Sequence, residues 1–213
     1  ILDPVCHAAG AAHRIGVVHC DLKPENIMVA EARRADARLD VKVLDFGIAH
    51  VVPALKTYVK LTRAQGSPGW LAPEQLHVEG KVSAASDVWA LGLIAFDALT
   101  GGSYWRHYGQ YPAILAEMEV APIEAASARV SSLGRAVTLP AGFDDWFARC
   151  VDRDPARRFA DASVAMEALR VALAPSPAVV DDDRAVPGRF LRDPRAERVE
   201  MLCLALNEAE RRG

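Results

Sequence analysis

From Ala84 to Thr100 the chain reads Ala-Ala-Ser-Asp-Val-Trp-Ala-Leu-Gly-Leu-Ile-Ala-Phe-Asp-Ala-Leu-Thr, apolar at nearly every position. A helix that is apolar nearly all round has no face to offer water and belongs in the middle of its domain. Ser83 is placed to cap the start of this helix, and Gly101-Gly102 to end it. Asp87 sits inside the run. A bare solvated aspartate is not expected inside so apolar a run, because a buried charge without partners is costly.

Two polar clusters precede that helix. His19-Cys20-Asp21-Leu22-Lys23-Pro24-Glu25-Asn26 sets a carboxylate, an ammonium and a carboxamide close together, directly after the apolar run Ile15 to Val18. Asp45-Phe46-Gly47 follows the β-rich run Val41-Lys42-Val43-Leu44, and Ala72-Pro73-Glu74 comes later. Any one of these polar residues alone is an ordinary solvated side chain. Together, in this order, they resemble the eukaryotic-type (bacterial) serine/threonine protein kinase family, whose catalytic loop reads H-R-D-x-x-x-x-N and whose magnesium loop reads D-F-G. Lys23, two residues past Asp21, matches the serine/threonine branch.

The resemblance implies roles. Asp21 would accept or orient the proton of the attacking hydroxyl, and Lys23 would lie against the transferred phosphate. Asn26 and Asp45 would hold Mg2+, a hard cation that takes oxygen ligands. Lys23, Glu25, Asn26, Met28 and Asp45 would together bind ATP. For Met28, a floor beneath the adenine and plain core packing stand side by side. Gly66-Ser67-Pro68-Gly69-Trp70-Leu71-Ala72-Pro73-Glu74 resembles the run that shapes the acceptor site, with Ser67 joining the catalytic set near Asp21 and Lys23. Asp87 would accept hydrogen bonds from the catalytic-loop backbone, and Arg158 of Asp154-Pro155-Ala156-Arg157-Arg158 would pair with Glu74. Cys20 departs from the family, which commonly has arginine there to bind a phosphorylated activation loop. A thiol cannot make that bidentate pair, so phosphate at Thr57 or Thr62 is not expected to control this chain through that contact.

The remaining elements read simply. Asp3-Pro4 predicts a helix start, with Asp3 as N-cap, and Gly16 its end. His7 and His13 within it read as surface or packing residues. Ile27-Met28-Val29 and Val41 to Leu44 predict a short hairpin, with 30–40 as its loop. Tyr111 to Glu119 predicts a helix, and 121–139 a loop with short helical pieces. Phe143, Trp146, Phe147, Cys150 and Val151 fall on one face of a helix and read as core. Ser163 to Leu173 closes the domain.

The expected fold is therefore mainly α (α+β): the large carboxy-terminal lobe of a protein kinase with a small β-hairpin, the amino-terminal lobe absent. Residues 1–174 form this lobe, 175–192 a Pro- and Asp-rich linker, and 193–213 an amphipathic helix bearing Val199, Leu202, Cys203, Leu206 and Ala209. A net charge of −3 points to neither nucleic acid nor a membrane surface. No apolar run is long enough to span a bilayer. Four cysteines without a C-x-x-C pair fit a reducing compartment, so a cytoplasmic location is expected. The expected partners are a protein substrate and a chain or segment supplying the missing lobe, because the hairpin would otherwise leave an apolar patch exposed. Without a glycine-rich loop and a strand lysine, the same chain also reads as a kinase-derived binding or scaffold module without transfer activity.

Overall fold

The computed structural model describes residues 1–31, 39–46, 68–77, 79–110 and 112–174. Gly47, Ser67, the hydroxyls of Thr57, Tyr58 and Thr62, Tyr111, and the whole of 175–213 lie outside the described residues. In chain order the described elements are α1 (Leu2–Arg14), β1 (Ile27–Glu31), β2 (Leu39–Val43), α2 (Pro73–Leu76), α3 (Ala84–Thr100), α4 (Ala113–Glu119), α5 (Ala126–Ser132), α6 (Phe143–Cys150) and α7 (Ala162–Leu173).

Helix α3 is the central post that its sequence demands. Every residue from Ala85 to Phe96 is buried, with Leu99 and Thr100. Ser83 is its N-cap, and Gly101 closes it in the left-handed conformation. Helices α1, α6 and α7 pack around it, and α1 also lies against α7. At Gly92 α6 comes close: a Cβ there would sit 2.6 Å from the Cβ of Cys150. Phe143, Trp146, Phe147, Cys150 and Val151 are all buried, as their spacing predicts. Phe96, Tyr104 and Phe147 form a mutual aromatic cluster with ring centroids 5.0–5.7 Å apart.

Helix α1 starts earlier than Asp3 suggests. Ile1 is its N-cap, and Asp3 lies in the first turn, where its carboxylate faces the helix dipole and pairs with Arg170 of α7. Pro4 is tolerated there because first-turn N–H groups have no helical partner anyway. The other end matches expectation. Val17 N–H reaches Ala12 O at 2.9 Å and Gly16 N–H reaches His13 O at 3.0 Å, with Gly16 at φ 77°. That is a Schellman closure, in which glycine alone takes positive φ at little cost.

The hairpin is antiparallel, with Ile27 opposite Val43 and Glu31 opposite Leu39. Each strand thus reaches further into the expected loop than its apolar core alone indicates. Ile27, Val41 and Val43 pack on the lobe, whereas Met28 and Val29 are each 42 % exposed and Leu39 and Leu44 each 38 %. Plain core packing therefore does not describe Met28.

The segment 113–132 carries a buried ionic cluster. Glu117 of α4 accepts from Arg129 Nη1 at 3.0 Å, from the backbone N–H groups of Arg106 and His107, and from His107 Nδ1, each at 3.1 Å. Burial pushes the Glu117 carboxyl up, but these donors and the Arg129 charge outweigh it and hold the group below its ordinary 4.5. The folded state therefore holds fewer protons on Glu117 than the unfolded chain does. Its contribution is complete above the unfolded value and is lost as pH falls through the lower folded value. In urea titrations, the stability advantage of wild type over Glu117→Gln should shrink as pH is lowered from neutral through about 4.5 and below. An advantage independent of pH across that range would contradict this account.

Candidate active site

The expected catalytic stretch is a loop between α1 and β1, and its shape comes from one carboxylate. Asp87, in the first turn of α3 and 1 % exposed, accepts His19 N–H at 2.8 Å on Oδ2 and Cys20 N–H at 2.9 Å on Oδ1. His13 Nε2 lies 2.9 Å from Oδ2 as well. Since His13 Nδ1 accepts from Ala162 N–H at 3.2 Å, Nε2 carries the hydrogen and donates to Asp87. His13 is thus more than the surface or packing residue its helical setting suggests. It joins α1, α3 and α7 at the point where the loop leaves.

Cys20 takes φ 68°, an uncommon region for a residue with a Cβ. Both its backbone groups are engaged: N–H with Asp87, and C=O with Gln75 Nε2 at 2.7 Å. Two fixed partners hold a conformation that local preference would not choose. The Cys20 thiol is buried and donates to Val18 O at 3.5 Å. Burial, with the charges of Asp87 and Asp21, pushes it up to about 12, so it is a neutral thiol and a poor nucleophile.

Beyond Cys20 the loop gathers its polar groups around Asp21. Lys23 Nζ lies 2.8 Å from Asp21 Oδ2. Asn26 Nδ2 donates to Asp21 O at 2.8 Å and to Oδ2 at 3.1 Å. Asp21 and Asn26 are buried, Lys23 is half-buried, and Glu25 is exposed. Asp45 reaches the same end of the hairpin, because the register sets Ile27, next to Asn26, opposite Val43. Leu44 N–H bonds Asn26 O at 2.8 Å, and His19 Nε2 donates to Leu44 O at 2.8 Å. His19 Nδ1 accepts Asp21 N–H at 3.2 Å, and its ring meets Phe46 edge-on with centroids 4.7 Å apart. His19 therefore couples the two acidic loops. Asp45 is exposed with φ 60°, so its backbone turns sharply off the strand.

Lys23 and Asn26 both contact Asp21, and Asp45 stands at the adjoining turn. Met28 lies further along β1, exposed. Among the described residues no group of three or more His, Cys, Asp or Glu gathers to hold a metal. A magnesium site needs only one or two carboxylates besides water and substrate oxygens.

The loop from Pro68 to Leu76 is fastened at three points. Gln75 Oε1 accepts Ala72 N–H at 2.9 Å while its amide holds Cys20 O, so one buried side chain ties this loop to the one that carries Asp21. Gln75 carries no motif of its own, and nothing in its sequence setting marks this role. Glu74 and Arg158 form the expected pair, bidentate at 2.8 Å, with Ser86 Oγ donating to Glu74 Oε1 at 2.7 Å. Arg158 also lies 5.0 Å from the Trp89 ring centroid and is fully enclosed. Trp105 Nε1 donates to Gly69 O at 2.7 Å.

Replacing Asp87 by alanine strands two buried backbone donors, each costing about 1–3 kcal/mol. Urea denaturation should show a loss of that combined size. His13→Ala should cost less in the Asp87→Ala background than in wild type, with a coupling of about 0.5–3 kcal/mol. Strict additivity would mean that the His13 bond contributes nothing.

The sequence and fold are similar to those of known proteins. Residues 1–171 match the protein kinase domain family. The chain is 36 % identical over 174 residues to the serine/threonine-protein kinase Pkn1 of Myxococcus xanthus, covering 82 % of this chain and 24 % of that protein. It is 33 % identical over 174 residues to PknL of Mycobacterium tuberculosis, covering 82 % of this chain and 40 % of that one. The chain thus spans well under half the length of either relative. In fold it resembles the crystal structure of the Mycobacterium tuberculosis PknI kinase domain, with TM-score 0.50 at 24 % identity, over 80 % of this chain and 54 % of the other. The chain belongs to the protein kinase family, its relatives being bacterial serine/threonine kinases, and its fold is that of the family's large lobe with the hairpin attached.

Proposed function

We propose that residues 1–174 are the catalytic lobe of a serine/threonine protein kinase, transferring the γ-phosphate of ATP to a hydroxyl of a protein substrate. The observation that carries this reading is the convergence of Lys23 Nζ and Asn26 Nδ2 on Asp21 Oδ2, with Asp45 at the adjoining turn. In the transfer, the acceptor oxygen bonds to the γ-phosphorus as the bond to the β–γ bridging oxygen breaks. ADP leaves with that electron pair, and the hydroxyl proton passes toward Asp21. The half-buried ammonium of Lys23 neutralises charge building on the transferred group.

Asn26 and Asp45 fit a magnesium ion. The Asn26 amide nitrogen is committed to Asp21, which leaves its oxygen as the ligating end, and Asp45 offers an exposed carboxylate. Both are the hard oxygen donors this ion prefers. Bound with the nucleotide, the ion supplies charge neutralisation. Glu25 and Met28 are read as nucleotide-side residues, and Ser67, which lies outside the described residues, as an acceptor-side residue from its place before Pro68-Gly69-Trp70 in the sequence. The exposed apolar hairpin residues Met28, Val29, Leu39 and Leu44 are where a further segment or chain would cover the nucleotide. They also support the second reading, a kinase-like binding module whose partner sits on that face.

Cys20 favours a site that does not wait for a phosphorylated activation loop. Its neutral, buried thiol cannot grip a phosphate as a guanidinium does. Activation by phosphate at Thr57 or Thr62 that disappears on changing Cys20 would refute this. For the site itself, calorimetry with ATP and Mg2+ should give an affinity of about micromolar, near −8 kcal/mol, lost in Asp45→Ala. Binding of equal strength in Asp45→Ala would remove the metal role; no binding at all would favour the binding-module reading.

A further inference from the structure

The turn Pro68–Trp70 closes on itself through Leu71 N–H to Pro68 O at 3.1 Å, and it rests on the segment 102–108. Trp105 Nε1 donates to Gly69 O, and the Tyr108 ring lies so near that a Cβ on Gly69 would sit 2.7 Å from its Cε2. Tyr108 also meets Trp70 edge-on, centroids 6.1 Å apart. That segment is clamped at both ends. Arg135 donates to Thr100 Oγ1 at 2.7 Å and to the carbonyls of Gly102 and Ser103, each at 2.8 Å. Glu117 takes the other end through the N–H groups of Arg106 and His107 and the His107 ring.

Glu117 is the more telling clamp. Its side chain is 5 % exposed and paired with Arg129, which is 2 % exposed. A buried ion pair of this kind seldom adds more stability than apolar side chains of like volume would. What it adds here is direction. One carboxylate fixes two successive backbone N–H groups just beyond Trp105 and just before Tyr108, the two side chains that touch Gly69. Ile114, one turn earlier on α4, would lie 3.2 Å from a Gly69 Cβ, so helix and clamp address the same spot.

We propose that Glu117 is a positioning residue for the protein-acceptor site, acting through Trp105 and Tyr108 to hold the turn Pro68–Trp70. This rests on the reading above, in which that turn shapes the acceptor site. It predicts that acceptor recognition and nucleotide binding are separable in this lobe, because Glu117 contacts neither the Asp21 loop nor Asp45.

The test compares the full chain with Glu117→Gln and with His107→Ala. The second variant keeps the Glu117–Arg129 pair and removes only an imidazole that is 47 % exposed, which guards against a folding failure in the first. Two readouts are taken without nucleotide: hydrogen exchange of the amides of Gly69, Trp70 and Leu71, and anisotropy of fluorescein-labelled dephosphorylated casein. Calorimetry with ATP and Mg2+ runs alongside. Exchange should quicken and casein affinity fall about tenfold in Glu117→Gln, less in His107→Ala, with ATP affinity unmoved in both. Unchanged exchange overturns the proposal, as does faster exchange with casein affinity intact, or a wild-type chain that binds ATP but no casein. Failure of wild type to bind ATP would instead count against the kinase reading, while the exchange comparison still decides whether Glu117 holds the turn.

Discussion

A single buried carboxylate, that of Asp87, sets the geometry on which the candidate site depends. It lies at the start of a helix with almost no solvent-facing side, and it is paired with neighbours from two other parts of the chain. Near the N-terminus of α3 its charge also faces the positive end of the helix dipole. The carboxylate fixes two successive N–H groups, those of His19 and Cys20, and so forces Cys20 into a backbone conformation it would not choose. From there Asp21 is delivered to Lys23 and Asn26. Rigid core, strained loop and the polar groups around Asp21 form one chain of cause.

The same device recurs at each neighbouring loop. A buried polar side chain with two or more partners fastens backbone that has no regular structure of its own. Gln75 ties the Pro68–Leu76 loop to Cys20, His19 ties the Asp45 turn to Asp21, and the Glu74–Arg158 pair anchors the base of the same loop beside Ser86. Such networks rigidify a site to the extent that their members are satisfied. The geometry around Asp21 therefore draws on residues far from it in sequence, and loss of one tie leaves a buried group unpaired.

Much of this was legible in the chain. The all-round apolar pattern of 84–100 placed α3, and the stripe Phe143 to Val151 placed α6, because burial follows directly from periodicity. The Asp87 and Arg158 contacts followed from the family resemblance, and both are formed. Boundaries were less legible. Asp3 looked like a cap but lies inside α1, since its carboxylate serves Arg170, 167 positions away. Met28 could be read either as core or as an exposed floor, because alternation in a five-residue strand does not say which face is covered.

By itself the sequence determined which chemical groups are present, in what order, and that the chain belongs to a helical lobe with one hairpin. These depend on local pattern and on short motifs whose spacing is set along the backbone. Tertiary structure alone decided that His13 would donate to Asp87, that Gln75 would hold the carbonyl of Cys20, and that Glu117 would grip the segment under Gly69. The partners of His13 and Gln75 lie 74 and 55 positions away. The Glu117 grip joins 106–107 to α4 across only 10 or 11 positions, but its bearing on Gly69 arises through Trp105, 36 positions from that glycine. A hydrogen bond needs angles and distances that no spacing along the chain specifies, so these ties exist only once the core has packed.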